Sequence, residues 1–323
     1  MAFEDGTGNP REGDTTLASL REAYHERLSR PGDPFQIASA FPLPADLPAL
    51  YTQLSTLRAC LDSFRPLDPA QAENLRTALD IEYTYNSNRI EGNSLTLRET
   101  AMIVNDGFTI AGKSMREHLE ATNHQEAIAV IRELAEHQAD LTPASVRRIH
   151  ALIMHGIDRD GGRYRTEGVF IKGSQHVPPN PLRVPELMSA MYDFYAANAA
   201  SLHPVQLAAE IHEKLATIHP FTDGNGRTAR LIMNLILLRA GYPITIISAE
   251  ANQRQAYYDS LEAANLSPTG DNAVFQRFIA ENVRLWLLRY LDMVSVDVSE
   301  QGKSKGLTFF QAIAPFIDGH ARP

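Results

Sequence analysis

Apolar residues recur at spacings of three and four along most of the 323-residue chain, the mark of amphipathic helices. The pattern predicts helices over 15–29, 45–64 and 69–91, separated by Pro-containing breaks at 31–34, 42–47 and 66–69. It resumes over 113–138, then from the helix start Thr142-Pro143 to about Gly156. Further helical stretches cover 184–199, 203–217, 226–240, 250–264 and 271–292. The expected fold class is all-α. Only Gly161 to Pro181 breaks the pattern. There the apolar runs Val169-Phe170-Ile171 and His176-Val177 flank Lys172-Gly173-Ser174, which predicts a small β-hairpin. A lone hairpin has little sheet to support it, so it reads as a docking flap or as a plain surface excursion.

Composition narrows the class without changing the fold. The chain is 44% hydrophobic and 21% charged, as in soluble globular proteins, and is long enough for one large domain or two smaller ones. A formal net charge of -9 argues against broad nucleic-acid binding, which needs a basic footprint. Cys60 is the only cysteine, so neither an internal disulfide nor a cysteine-based zinc site can form. Met1 to Thr15 is polar and lacks the apolar core of a signal peptide. No apolar run approaches the ~18 residues of a membrane span, and Leu231 to Ala240 is interrupted by Asn234 and Arg239. A cytoplasmic protein away from membranes is expected, with weak order in roughly the first 14 and last 20 residues.

The segment from Ile218 to Arg230 carries the chemistry. Asp223-Gly224-Asn225-Gly226 cannot extend a helix, but Leu231, Leu235 and Leu238 then lie on one helical stripe, with Gly241 and Pro243 as the stop. A Gly-rich turn thus feeds a helix N-terminus, where unpaired N–H groups and the positive helix end favour an anion. Arg227 and Arg230 project from neighbouring positions on the first turns and can hold phosphate oxygens bidentately. Two cations at a helix N-terminus are unfavourable unless an anion joins them, and that conflict points to function. Asp223 offers a carboxylate for Mg²⁺ shared with phosphates, and His219 can take a proton near neutral pH. The loop lacks the Gly-Lys-Ser/Thr ending of a Walker A motif.

His219 through Arg230 resembles the Fic family motif HPFxDGNGRxxR and matches it at every position. The similarity runs from about residue 80 to 290 and is greatest to metazoan Fic AMP-transferases, although their signal anchor and tetratricopeptide repeats are not evident in this sequence. The resemblance implies a Fic-type helical bundle with the flap, and transfer of AMP from ATP to a Ser, Thr or Tyr hydroxyl of a target protein or of the chain itself. It implies His219 as general base and Asp223 as the ligand of Mg²⁺, with Mn²⁺ as a substitute. Gly224, Asn225 and Gly226 would form the anion hole, Arg227 would meet the β-phosphate and Arg230 the γ-phosphate. Related kinases carry Lys at the position of Gly226, so Gly226 favours nucleotidyl transfer. Tyr257, Tyr258 and Asn265 match positions around adenosine, and Val169, Phe170, Ile171, Lys172 and Gly173 would be the target-docking flap. His212 shares a helix side with His219 and reads better as a core histidine.

Ser87-Asn88-Arg89-Ile90-Glu91-Gly92 resembles the family's inhibitory motif. Ser87 and Glu91 share a helix face, and Gly92 is a natural stop. A carboxylate in the last turn opposes the helix dipole and wants an external cation. The resemblance supplies Arg230, which implies self-inhibition from an N-terminal helix. It leaves open removal of AMP, with Glu91 orienting a water, a non-catalytic nucleotide-binding module, and transfer of a phosphoryl or phosphocholine group. It also implies a homodimer. The expected organisation is a variable arm over 1–45, a helical region with the inhibitory helix over 46–105, a catalytic core over 106–292 and a tail over 293–323.

Overall fold

The computed structural model describes residues 11–29, 35–267, 269–296 and 305–317, with side chains from residue 17 onward. The polar stretch 1–10, the Pro-containing break at 31–34 and parts of the tail, 297–304 and 318–323, lie outside the described residues. In chain order the helices are α1 (Arg11–Leu28), α2 (Ile37–Ala40), α3 (Leu47–Asp62), α4 (Pro69–Ile90), α5 (Leu97–Asp106), α6 (Met115–Glu136) and α7 (Pro143–Ile153). After a 3-10 turn at Pro181–Arg183 come α8 (Val184–Asn198), α9 (Pro204–Ile218), α10 (Asn225–Arg239), α11 (Ala251–Asn265), α12 (Ala273–Val296) and α13 (Leu307–Ile317). The chain divides into two compact units, Asp68–Trp286 and the combination of Met1–Leu67 with Leu287–Pro323.

Local chemistry explains the boundaries in the larger unit. Asp68 caps α4 with Pro69 at the first position, and the chain leaves that helix through Gly92 at a φ of 99°. Reciprocal capping boxes start α5 (Thr96 with Glu99), α6 (Ser114 with Glu117) and α7 (Thr142 with Ser145). The hydrophobic pattern alone gives no helix over 97–106, but Thr96-Leu97-Arg98-Glu99 carries the capping signal for α5. α10 is the centre of this unit and packs on α9, α6, α7 and α4. Its apolar face includes Leu231, Ile232, Met233 and Leu235, all essentially inaccessible to solvent.

The β-hairpin expected between Gly161 and Pro181 does not form, and no strand is present among the described residues. With no sheet to pair against, this backbone finds other partners. Ser174 N–H closes a turn onto Ile171, Gly173 has a φ of 83°, and Glu262 of α11 accepts from both Ser174 Oγ and Gln175 N–H. Phe170 is 88% exposed and Lys172 and Val177 are also exposed. The excursion is a surface loop anchored at points along its length.

The smaller unit corrects a second expectation. Part of the tail is the helix α13, not a weakly ordered segment. Phe309 and Phe310 are fully buried there, where edge-on contacts with Tyr24 of α1 and packing against Phe64 give the helix an aromatic core.

Candidate functional site

Three pieces of the larger unit meet at the start of α10: the loop from His219 to Gly224, the end of α4, and α6. α9 ends at His219, which takes a left-handed conformation with φ 49° and ψ 61°. Such a backbone is rare for a residue with a Cβ and persists only where its surroundings hold it. His219 Nδ1 donates to the Ala216 carbonyl at 3.3 Å, which leaves Nε2 as the ring's acceptor. Burial lowers the His219 pKa below 6.5; the Ala216 carbonyl opposes this, Arg165 adds to it, Glu91 opposes and His176 adds again. The ring is thus held neutral, as a general base requires.

The loop's shape is set by side chains that the family motif does not explain by itself. Asn225 folds its amide back onto Phe221, accepting from its N–H and donating to its carbonyl, both at 2.9 Å. His150 of α7 stacks on the Phe221 ring at 3.6 Å with planes 4° apart. Its Nδ1 accepts from Gly162 N–H at 2.8 Å, so Nε2 carries the proton and donates to the Asp223 carbonyl at 2.9 Å. Burial pushes the His150 pKa down to about 4, which fixes that neutral form. Gly224, with a φ of 73°, begins α10 without a side-chain cap, so the first-turn N–H groups are left for something else.

Both arginines of the motif are buried, 2% and 1% exposed for Arg227 and Arg230. Arg227 meets Glu120 of α6 at 3.3 Å and Asp223 at 3.6 Å. Arg230 reaches α4: Nε donates to Ser87 Oγ at 3.1 Å, and Nη2 donates to the Ser87 carbonyl at 2.9 Å and to Glu91 Oε1 at 2.8 Å. Burial works against its charge, but Glu91 and nearby tyrosine hydroxyls hold the guanidinium firmly protonated. Arg227 Nε and Arg230 Nη1 are buried without an acceptor among the described residues, a costly arrangement unless an anion or water completes it. Asp223 accepts from Arg116 of α6 and from Gly224 N–H at 2.6 Å. Burial raises its pKa, but Arg227, the Gly224 amide and Arg116 outweigh this and keep it ionised.

Glu120 joins these groups. It contacts Arg116 at 3.1 Å and Arg227 at 3.3 Å, and accepts from Asn93 at 2.9 Å just past the end of α4. Sequence reasoning missed it because Arg116 and Glu120, four apart, look like an ordinary pair on a helix surface. His150 and Arg165 carry no sequence signal at all. The residues expected around adenosine have partners of their own. Tyr257 is buried against His212, whose Nε2 lies 3.2 Å from its hydroxyl, so His212 sits in the core. Tyr258 donates instead to the Ile90 carbonyl at 3.1 Å, and Asn265 accepts from Thr217 Oγ1.

The Glu91 carboxylate lies directly against the start of α10. A Cβ built on Gly226 would stand 2.3 Å from Glu91 Oε1 and 3.1 Å from Arg230 Nη1. Gly226→Ala should therefore destabilise the chain by about 1–3 kcal/mol. Most of that loss should disappear when Glu91→Gly is also present, since the worst clash is then gone. A double-mutant cycle by denaturant titration measures this, and strictly additive losses would show that Glu91 does not rest on Gly226.

Comparison with known proteins agrees with this geometry. The model of the Fic/DOC family matches residues 140–237, which contain α7 to most of α10 and the whole loop. The solved structure of Fic-1 from C. elegans is 30% identical with a TM-score of 0.65, over 88% of this chain and 84% of that one. The chain belongs to the Fic/DOC family. A Fic domain containing signaling protein from Bacteroides thetaiotaomicron is 26% identical with a TM-score of 0.62, over 85% of this chain and all of that one. "Protein adenylyltransferase Fic" of Nematostella vectensis is 38% identical over 230 residues, 70% of this chain and 52% of that protein. Its namesake in Drosophila willistoni is 37% identical over 240 residues, 74% of this chain and 47% of that protein. The chain spans about half the length of these curated Fic relatives. Glu91, Glu120, Tyr257 and Asn265 all lie outside the span of the Fic/DOC model. No helix among the described residues is long and apolar enough to cross a membrane.

Proposed function

We propose that the chain is a protein adenylyltransferase that moves AMP from ATP to a Ser, Thr or Tyr hydroxyl and is restrained by its own Glu91. The observation that carries this reading is the pairing of a neutral His219, its Nε2 open as an acceptor, with two buried arginines at an uncapped helix start. His219 Nε2 takes the hydroxyl proton as the hydroxyl oxygen bonds to the α-phosphorus. The bond from that phosphorus to the bridging oxygen breaks, and pyrophosphate leaves. The first-turn amides at Asn225 and Gly226, with Arg227 and Arg230, stabilise the charge on the phosphates. The names of the curated relatives support the same activity.

No cluster of three ligating side chains suited to a metal exists among the described residues. A phosphate-bridged Mg²⁺ needs only one protein carboxylate, and ionised, half-exposed Asp223 beside the phosphate site fits that role. Asp223 would hold the ion, with Mn²⁺ as a substitute, and the ion would neutralise charge on the phosphate oxygens. Arg116 would have to yield the carboxylate oxygen it now holds.

Inhibition is the second part of the reading. Glu91 occupies Arg230 and crowds Gly226, the two places where phosphate oxygens would settle. Ser87 holds the same arginine through side chain and backbone, which ties α4 to the site. The partly exposed Glu91 carboxylate also suits a water aimed at the phosphorus of an AMP ester, so removal of AMP is the competing activity. The 167–179 excursion, with exposed Phe170, would carry the target segment. Leu97, Phe108 and Met115, 45%, 54% and 72% exposed around α5, would carry self-association.

The test follows the label. A Glu91→Gly chain given ATP labelled on the α-phosphate should mark protein, with an adduct mass of AMP, and ATP labelled on the γ-phosphate should leave it unmarked. Retention of the γ-label would make the protein a kinase and overturn the proposal.

A further inference from the structure

Six of the seven carbonyls from Thr217 to Asp223, all but that of Thr222, accept a hydrogen bond shown by the structure. Thr217 O accepts from His176 Nε2 at 2.9 Å, Ile218 O from Arg165 Nη2 at 3.5 Å, and His219 O from Arg165 Nε at 2.7 Å. Pro220 O accepts from the Arg165 backbone N–H at 2.9 Å. Apart from Phe221, which Asn225 serves, these donors come from the segment between His150 and His176, and the next, on Asp223 O, is His150 itself. Arg165 contributes most. Its Nη1 donates to Glu167 O at 2.9 Å, and Nη2 donates also to Pro179 O at 2.6 Å, the two ends of the exposed excursion.

Arg165 is only 4% exposed, and among the described residues no carboxylate pairs with it. A buried guanidinium spent wholly on carbonyls is unusual, because burial alone disfavours its charge. The carbonyls it gathers explain its presence. One belongs to the left-handed His219, and two belong to the ends of the loop beside it.

We propose that Arg165 is a positioning residue for AMP transfer, holding the His219 backbone and both ends of the 167–179 excursion in one frame. Acceptor docking on the excursion and placement of His219 Nε2 are then set together. This inference rests on the transferase reading above. It separates two halves of the site. The phosphate side is held by Ser87, Glu120 and the Asn225 amide, none of which touches Arg165. Loss of Arg165 therefore impairs the transfer step and spares ATP binding.

The experiment compares the 323-residue Glu91→Gly chain with Glu91→Gly, Arg165→Ala, using α-labelled ATP and a cell lysate. The expected result is a fall of about 100-fold in the transfer rate, the scale of an ångström-sized misplacement, with ATP affinity unchanged. Added guanidinium ion should restore part of the rate. The acid limb of the pH profile should move to higher pH, because Arg165 lowers the His219 pKa while His176 still faces it and Glu91 is gone. An undiminished rate, or a loss of ATP affinity that matches the loss of rate and resists guanidinium, overturns the proposal. Should the alanine variant be insoluble, Arg165→Lys replaces it; a single ammonium cannot span three carbonyls, so full activity there also overturns it. No label from the Glu91→Gly chain itself removes the transferase reading, and this inference falls with it.

Discussion

In the Glu91→Gly chain, His219→Ala should lower AMP transfer by about 10²–10⁴-fold, the range for loss of a positioned general base. ATP affinity should stay close to that of the Glu91→Gly parent, because His219 contributes nothing to the arginine cluster. The histidine is well prepared for this work. Its Nδ1 proton is fixed on Ala216, so the ring cannot present the wrong nitrogen. Its pKa is lowered by burial and by Arg165, so the neutral form dominates at pH 7. The sign for activity follows directly. The base is competent above its pKa, and transfer should fall as pH drops through a value below 6.5. A single-turnover pH series reads this limb, and a doubly changed chain that still transfers AMP at the parent rate would assign the proton to another group.

Glu91→Gly on its own should raise transfer by about 5- to 150-fold, the usual span of a coupling between two competing states. Arg230 is nearly inaccessible, and its shortest charged contact is the 2.8 Å bond to Glu91. Removing the carboxylate frees the guanidinium for phosphate and clears the space over Gly226. It also leaves a buried cation held only by neutral groups, Ser87 and the Tyr257 ring among them, and breaking such a pair is destabilising. The Glu91 side chain is 36% exposed, so solvent screening reduces that cost. The variant should thus melt at a lower temperature than the parent without nucleotide and recover when ATP is added. Equal transfer rates in parent and variant would remove Glu91 from any inhibitory role.

These readings differ in how far the sequence revealed them. The helices were legible wherever a stripe of apolar residues faced a core, as on α10 from Leu231 onward. α5 was not, because its start is written in a capping pair and not in apolar spacing. The hairpin misled for a physical reason: two short apolar runs around a Gly-containing turn make strands only if a sheet is there to receive them. The Glu91–Arg230 pair was legible through the resemblance of Ser87 to Gly92 to the family's inhibitory motif; an acid at a helix end by itself names no partner. The supports of the loop were not. Arg165, His150 and Glu120 act through backbone carbonyls and buried contacts brought together from distant positions, and no spacing in the chain marks them.

The buried face of α4 carries Asp80, Thr84, Asn86, Ser87 and Asn88 beside Leu79, Tyr83 and Ile90. A seam this rich in hydrogen-bonding groups behaves differently from an oily one when it parts. Water can take over most of its bonds, and the apolar surface that comes into view is smaller than for a wholly oily seam. Under the proposed inhibition, such a seam would let α4 part from the site and return, as a brake must.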